Sequence, residues 1–401
     1  MKKINNILVT TYWAFDNALI TNYTLPYIRI IQKQIHPNSK IFLLTLSPKI
    51  KNSAEKLRAV KKEYESQGVY LINFNYNPFG PVMFFRLIWM FVYLLAFVLN
   101  NKIKTIHSWC TPAGAIGFVV SVITRVPLIL DSFEPHADTM VETNTWKKNS
   151  FAYKVLFYFE KLQLNRALEV ICTTEGMIGY CDTTYGVKKE RYFIKPACVD
   201  LELFYPTKKD YALINEIKPG NIVCVYAGKF GDIYLDAEVF EFFAVAHVHW
   251  GEKFKVLLLT NHSNAEIDDF CFKADLDKNV IIKRFVPHKD VSKYMNLGDF
   301  GICPVRPIPT KRFCTPIKNG EYWALGLPVI ITKNISDDSD LIVTNNAGYV
   351  LKELNIHEYE LAVKKIDALL IEPDLGVKIR QIAEIKRNFS IAEKIYKTIY
   401  V

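Results

Sequence analysis

Short apolar, β-branched runs alternate with longer helical stretches along this chain, stop at a proline-marked interruption, and then begin again. Ile7–Thr10, Lys40–Leu46, Val69–Phe74, Thr105–Ser108, Pro127–Leu130 and Leu168–Cys172 read as buried strands, with helical segments near 21–35, 51–66, 80–99, 112–124 and 150–166 between them. The second series comprises Ile222–Tyr226, Lys255–Leu259, Val280–Ile282, Phe300–Cys303, Val329–Ile331 and Gly348–Leu351, separated by helices near 234–247, 287–296, 317–325 and 357–371. Alternation of this kind predicts parallel sheets joined by crossover helices. The expected fold class is α/β, with two Rossmann-like doubly wound domains facing across a cleft at the carboxyl ends of their strands, where open sheets bind ligands. The stretch Lys195–Gly220, with Pro196, Pro206 and Pro219, breaks both periodicities and reads as the interdomain linker.

Several function classes fall away at once. The eight cysteines stand at 110, 172, 181, 198, 224, 271, 303 and 314, and no pair has CxxC spacing. A zinc ribbon, a thioredoxin-type site and a dense disulfide framework are therefore not expected, and the thiols read as reduced and mostly buried. No GxxxxGK[ST] or HExxH occurs, and the first strand runs into TTYWAFDNALITNY without a GxGxxG. The opening MKKINNILVTTYW has too short an apolar stretch for a signal-peptide core, so a cytoplasmic protein is expected.

Charge is distributed unevenly. Residues 1–200 hold 24 Lys and Arg against 14 Asp and Glu, whereas residues 201–401 hold 26 against 27. A basic first half suits an anionic partner, either a membrane surface or a phosphorylated acceptor. The lysines are scattered and no nucleic-acid-binding pattern is present, so nucleic acid is not expected. Val82–Leu99 has Arg86 as its sole charge and is long enough to span a bilayer. Spanning would put strands of one sheet on opposite sides of the membrane. The segment therefore reads as a crossover helix, either buried or lying in a membrane interface with Arg86, Trp89 and Tyr93 at headgroup level.

Two stretches of the second series carry candidate chemistry. In VCVYAGKFGD a strand runs straight into Gly228, Lys229, Phe230, Gly231 and Asp232. Glycines allow close backbone approach, the following helix offers free amides, and Lys229 adds positive charge, a combination suited to a diphosphate. In TPIKNGEYWALGLPVI, Thr315 reads as an N-cap, Pro316 as the first helical residue and Gly326 as the stop before a buried strand. Lys318 and Glu321, three apart, share one face of that helix, where a lysine can meet phosphate and a carboxylate can accept bonds from a ribose diol.

The run P-x-K-x-x-E-Y-x-A-x-G-x-P-V-I from Pro316 to Ile330 resembles the nucleotide-sugar motif of retaining glycosyltransferases of the GT-B fold, the large family 4 type. Pro196–Pro206 resembles that family's linker segment, with Cys198 in place of a glycine. Gly228-Lys229 resembles its diphosphate loop, and Lys283-Arg284-Phe285-Val286-Pro287 its base-binding loop. Phe389–Tyr400 is similar to the C-terminal helix that returns to the first domain. The resemblance implies an acceptor domain over 1–200, completed by a helix at about 388–401, and a nucleotide-sugar domain over 205–387.

It further implies a donor site of Gly228, Lys229, Arg284, Val286, Thr315, Pro316, Ile317, Lys318 and Glu321. Glu321 would bind the ribose hydroxyls, while Lys229 and the amides of Pro316–Lys318 would hold the diphosphate. Family members carry a His or Asp in the loop after the fifth strand of the first domain; here that loop is Asp131–Asp138, and His136 is the implied catalytic match, with Asp131 and Glu134 in reserve. No metal or other cofactor is expected, because lysine and helix-terminal amides would neutralise the leaving group. The implied partners are a nucleotide sugar and a glycan or lipid-linked acceptor of surface-polysaccharide synthesis; the basic first half and the run Val82–Leu99 add an anionic membrane surface at the inner face.

Three positions depart from the pattern. Phe313 stands where the family has a second Glu, Tyr234 stands where it has a second basic residue, and the first-domain glycine-rich loop is missing. Lys311, Arg312 or Lys318 is expected to supply the absent charge. Two alternatives remain open at this point: an inverting transferase or nucleotide-sugar epimerase of the same fold, and a non-catalytic partner subunit.

Overall fold

A computed structural model describes residues 3–48, 53–76 and 81–401. The chain forms two compact units. One runs to Lys195 and takes in Ser390–Val401; the other is Pro196–Phe389.

The first unit is built on a seven-stranded parallel sheet: β1 (Asn6–Thr10), β2 (Ile41–Pro48), β3 (Val69–Tyr76), β4 (Ile103–Trp109), β5 (Leu128–Phe133), β6 (Glu169–Cys172) and β7 (Tyr192–Ile194), in the order β3-β2-β1-β4-β5-β6-β7. Its central strands are covered on both faces, so they read as unbroken apolar runs; Ile7, Leu8 and Val9 are all fully buried. β7 has only three half-buried residues and does not appear in the sequence pattern. The C-terminal helix Ser390–Tyr400 buries Ala392, Ile395 and Tyr396, a helical i, i+3, i+4 stripe, and packs on the helix Leu25–Gln34.

The apolar helix Pro81–Asn100 crosses from β3 to β4. It buries Met90, Leu94 and Val98 but leaves Phe85 and Trp89 69% and 60% exposed, with Ile88, Val92 and Tyr93 beside them. It is thus a crossover helix with one covered and one bare apolar face. Among the described residues no helix is long and apolar enough to cross a membrane. Lys51, which belongs to the basic N-terminal half, lies outside the described residues.

The second unit has a six-stranded parallel sheet: β8 (Ile222–Ala227), β9 (Phe254–Leu259), β10 (Ile281–Arg284), β11 (Phe300–Cys303), β12 (Val329–Thr332) and β13 (Gly348–Leu351), in the order β10-β9-β8-β11-β12-β13. The proline-rich stretch after Lys195, expected as a linker, belongs to this unit. Val199 pairs with Asn388, and Phe204, Ile214 and Ile217 enter its core. The boundary falls at the start of that stretch, between Lys195 and Pro196, and the rest of it packs irregularly into the second unit.

Candidate functional site

In the second unit the helix Ile317–Ala324 brings Lys318 against Gly228 at the end of β8. That helix begins one residue later than its sequence suggests. Pro316 is the N-cap, and no side chain caps it. Thr315, expected as the N-cap, precedes that position and is buried, with its hydroxyl 3.3 Å from that of Ser336. Gly326, at φ 73°, ends the helix as expected, and a Cβ there would lie 2.7 Å from the Gly376 carbonyl oxygen.

Lys318 points from this helix at the end of β8. Its Nζ lies 3.2 Å from Tyr234 Oη and 4.2 Å from the centre of the same ring, with the Tyr226 ring at 5.6 Å. A Cβ on Gly228 would meet Lys318 Cε at 2.6 Å, so only glycine lets the lysine approach the main chain this closely. Burial disfavours the ammonium, but the phenols of Tyr234 and Tyr226 and the thiol of Cys303 outweigh it and raise the lysine's pKa. Position 234, which lacks the second basic residue, is therefore where Lys318 delivers its own charge.

Lys229 behaves differently. Its side chain is more than half exposed, and its Nζ pairs with Asp232 Oδ2 at 2.6 Å. Glu321, one turn along from Lys318, is largely covered, with Oε1 3.8 Å from Nε2 of His288. Lys318 and Glu321 thus serve different neighbours. Ile317 and Val286 are half-buried against the core, and Arg284 donates to Glu216 Oε1 at 2.6 Å.

Two histidines that the sequence did not single out touch this region. His288 opens the helix His288–Met295 and stands beside Glu321. His262 accepts the main-chain N–H of Phe230 on Nε2 at 2.9 Å. Neither carries a motif; each is recognisable only through a partner distant in sequence.

In the first unit the expected loop 131–138 is not a loop. Asp131 lies inside β5 and is 1% exposed. Its Oδ1 is 3.0 Å from Lys195 Nζ, and its Oδ2 accepts from Tyr396 Oη at 2.7 Å and lies 3.1 Å from His107 Nε2. Burial alone would raise this carboxyl, but Lys195, His107 and Tyr396 hold it at about 2. Lys195 is itself fully buried, 3.6 Å from the Tyr27 ring centre. Asp131 is thus an internal counter-ion rather than an accessible base. Burial lowers the pKa of His107, whose Nδ1 lies 2.6 Å from Tyr400 Oη.

His136 is the half-buried first residue of the helix His136–Glu142, and its N–H donates to the Glu134 carbonyl at 2.9 Å. Glu134 is also half-buried, and its carbonyl accepts from Thr111 Oγ1 at 2.5 Å. Beneath them lies Glu160, fully buried, accepting from Ala137 N at 2.8 Å and from Tyr185 Oη at 2.8 Å. Burial outweighs both bonds and raises Glu160 to about 8. Asp138 accepts from Tyr153 Oη at 2.9 Å and from Tyr180 Oη. The short helix bearing His136 is therefore fixed from below by acid–phenol pairs.

Solved structures share this architecture. A sucrose-phosphate synthase from Thermosynechococcus elongatus superposes with a TM-score of 0.76 at 14% identity, over 99% of this chain and 98% of that one. WaaG, a glycosyltransferase involved in lipopolysaccharide biosynthesis, does so at 0.69 and 14%, over 98% and 99%. The chain has the GT-B fold. The same GT-B fold appears in HepE from Anabaena in complex with UDP-glucose, at a TM-score of 0.70 and 13% identity, over 98% of this chain and 99% of that one. No family model and no curated protein sequence matches the chain. At such identities the likeness establishes the GT-B fold, and any chemistry must rest on the residues themselves.

Proposed function

We propose that this chain is a glycosyltransferase. It moves a sugar from a nucleoside diphosphate sugar to a hydroxyl of a glycan or lipid-linked acceptor, with retention of anomeric configuration. The observation that carries this reading is Lys318, lodged against Gly228 and Tyr234 at the end of β8, with Glu321 one turn away on the same helix. A cation and main-chain amides at that point suit a diphosphate, and a covered carboxylate beside them suits a ribose diol. The HepE structure, solved with UDP-glucose, supports a nucleotide sugar as donor.

In this reading Lys318 and the helix-terminal amides stabilise the negative charge that develops on the departing diphosphate, so their contribution grows toward the transition state. Lys229, tied to Asp232 at the surface, steers the donor in. His136, on its braced helix, orients the sugar or acceptor. Retention follows from the motif's resemblance to retaining enzymes. The lysine and amides leave no step that calls for a metal.

The bare apolar face of Pro81–Asn100, on a unit rich in lysine, supports attachment to an anionic membrane as the way a lipid-linked acceptor is reached. Synthesis of a surface polysaccharide from the cytoplasmic side fits that placement. The non-catalytic alternative draws support from Phe313, but Lys318 removes the argument from Tyr234. Incubation with a panel of labelled nucleotide sugars and membrane extract tests the proposal. Transfer of label to an alkali-stable glycan supports it, and no transfer from any donor contradicts it.

A further inference from the structure

The loop Gly228–Asp232 is held in place by a side chain from outside it. Phe230 is buried in a cluster with Tyr226, Phe240 and Phe270, and its N–H donates to His262 Nε2 at 2.9 Å. The two rings lie 5.6 Å apart, tilted by 38°. Tyr226 Oη donates to the Lys229 carbonyl at 2.5 Å, Gly228 N donates to the Leu259 carbonyl at 3.0 Å, and Gly231 turns at φ 83°.

We infer that His262 is the latch of the Gly228–Asp232 loop, positioning its main chain for a nucleoside diphosphate by accepting the Phe230 N–H on Nε2. The inference rests on the donor-site reading above. An acceptor Nε2 carries no proton, so the imidazole is neutral with its hydrogen on Nδ1. The charged groups facing it agree with that tautomer. Glu266 Oε1, from the helix Asn264–Lys273, lies 3.5 Å from Nδ1. The Lys283 ammonium, from β10, donates to the His262 carbonyl at 2.6 Å rather than to the ring. Thr260 Oγ1 accepts the His262 N–H at 3.3 Å, which fixes the residue's own main chain. His262 is thus a positioning residue for the main chain of this loop.

Two variants of the full chain separate this from a general packing role. His262→Phe keeps a ring against Phe230 but removes the acceptor, whereas His262→Gln puts an amide oxygen near the place of Nε2. Hydrogen–deuterium exchange of the peptide covering 226–232 and calorimetric titration with UDP, GDP, ADP and dTDP are read together. His262→Phe is expected to raise exchange in that peptide and to weaken the tightest nucleotide about tenfold or more, in line with loss of a buried acceptor. His262→Gln is expected to retain both properties, because its amide oxygen can still accept the Phe230 N–H. Unchanged exchange in His262→Phe overturns the latch, whether or not any nucleotide binds. A His262→Gln variant that exchanges and binds like His262→Phe also overturns it. A wild type that binds none of the four contradicts the donor-site reading, and the exchange measurement then still decides the latch.

Discussion

Lys318 Nζ stands 3.2 Å from Tyr234 Oη and over the face of the same ring, so a lysine from one helix fills the place where a second basic residue is missing from the β8 loop. Lys229, by contrast, is paired with Asp232 at the surface. Lys318→Ala is therefore expected to lower kcat by about 10²-fold or more, the usual effect of removing one preorganised charge-stabilising donor. Lys229→Ala should cost less than about tenfold, in keeping with the ~1 kcal/mol or less of exposed charge pairs. Steady-state rates with the best nucleotide sugar check the order. The reverse order would return the leaving-group role to Lys229.

The carboxylate of Asp131 ties the end of the first stretch of unit one, at Lys195, to the C-terminal helix at Tyr396. Removing it strands a buried ammonium, so Asp131→Ala should destabilise that unit by about 3–5 kcal/mol. Tyr396→Phe removes one bond to a charged group and should cost about 1.5–3 kcal/mol. The folded-state pKa of about 2 lies below that of the unfolded chain, so this contribution is complete above roughly pH 4 and is lost as pH falls through 2. Urea unfolding across pH 2–6 reads it. An equally steep acid limb in Asp131→Ala would remove Asp131 as the cause.

Glu160 has the opposite sign. Its pKa of about 8 lies above the unfolded value near 4.3, so the stability it contributes is whole at low pH and declines as pH rises through 8. Glu160→Gln keeps acceptor and donor capacity toward Ala137 and Tyr185 but cannot ionise. It should match the wild type at pH 5 and exceed it in melting temperature at pH 8.5. Parallel melting curves across that range would mean that Glu160 does not titrate with folding.

Much of this was legible from residue patterns. Apolar β-branched runs located twelve of the thirteen described strands because both faces of each sheet are covered; β7, with three half-buried residues, left no such trace. Gly326 announced the end of its helix correctly, while the start fell one residue later than Thr315 suggested, with Pro316 at the N-cap. Asp131 looked like a reserve catalytic residue because its partners are remote: Tyr396 is 265 residues away. His262 was silent for the same reason, since its role depends on a main-chain N–H 32 residues earlier. Local pattern reports periodicity and caps; it does not report which side chain occupies the space that another has left.

Membrane attachment has its own test. Each basic residue near an anionic leaflet adds about 1 kcal/mol, and inserted apolar side chains add a part that salt does not remove. The protein should float with anionic vesicles at low salt and be only partly released at high salt. Phe85→Asp with Trp89→Asp, both on the exposed face, should make release complete. A protein that stays at the bottom of the gradient at low salt would point to a soluble acceptor.

The most direct measurement is a calorimetric titration of the wild type and Glu321→Ala with UDP, GDP, ADP and dTDP. The expected result is saturable binding of at least one nucleotide by the wild type. Glu321→Ala should bind it with a loss of roughly 1–3 kcal/mol, as an unpaired ribose diol requires, while its melting temperature without nucleotide is unchanged. Binding of none of the four by the wild type, or equal affinity in Glu321→Ala, would contradict the donor site at Lys318 and Glu321.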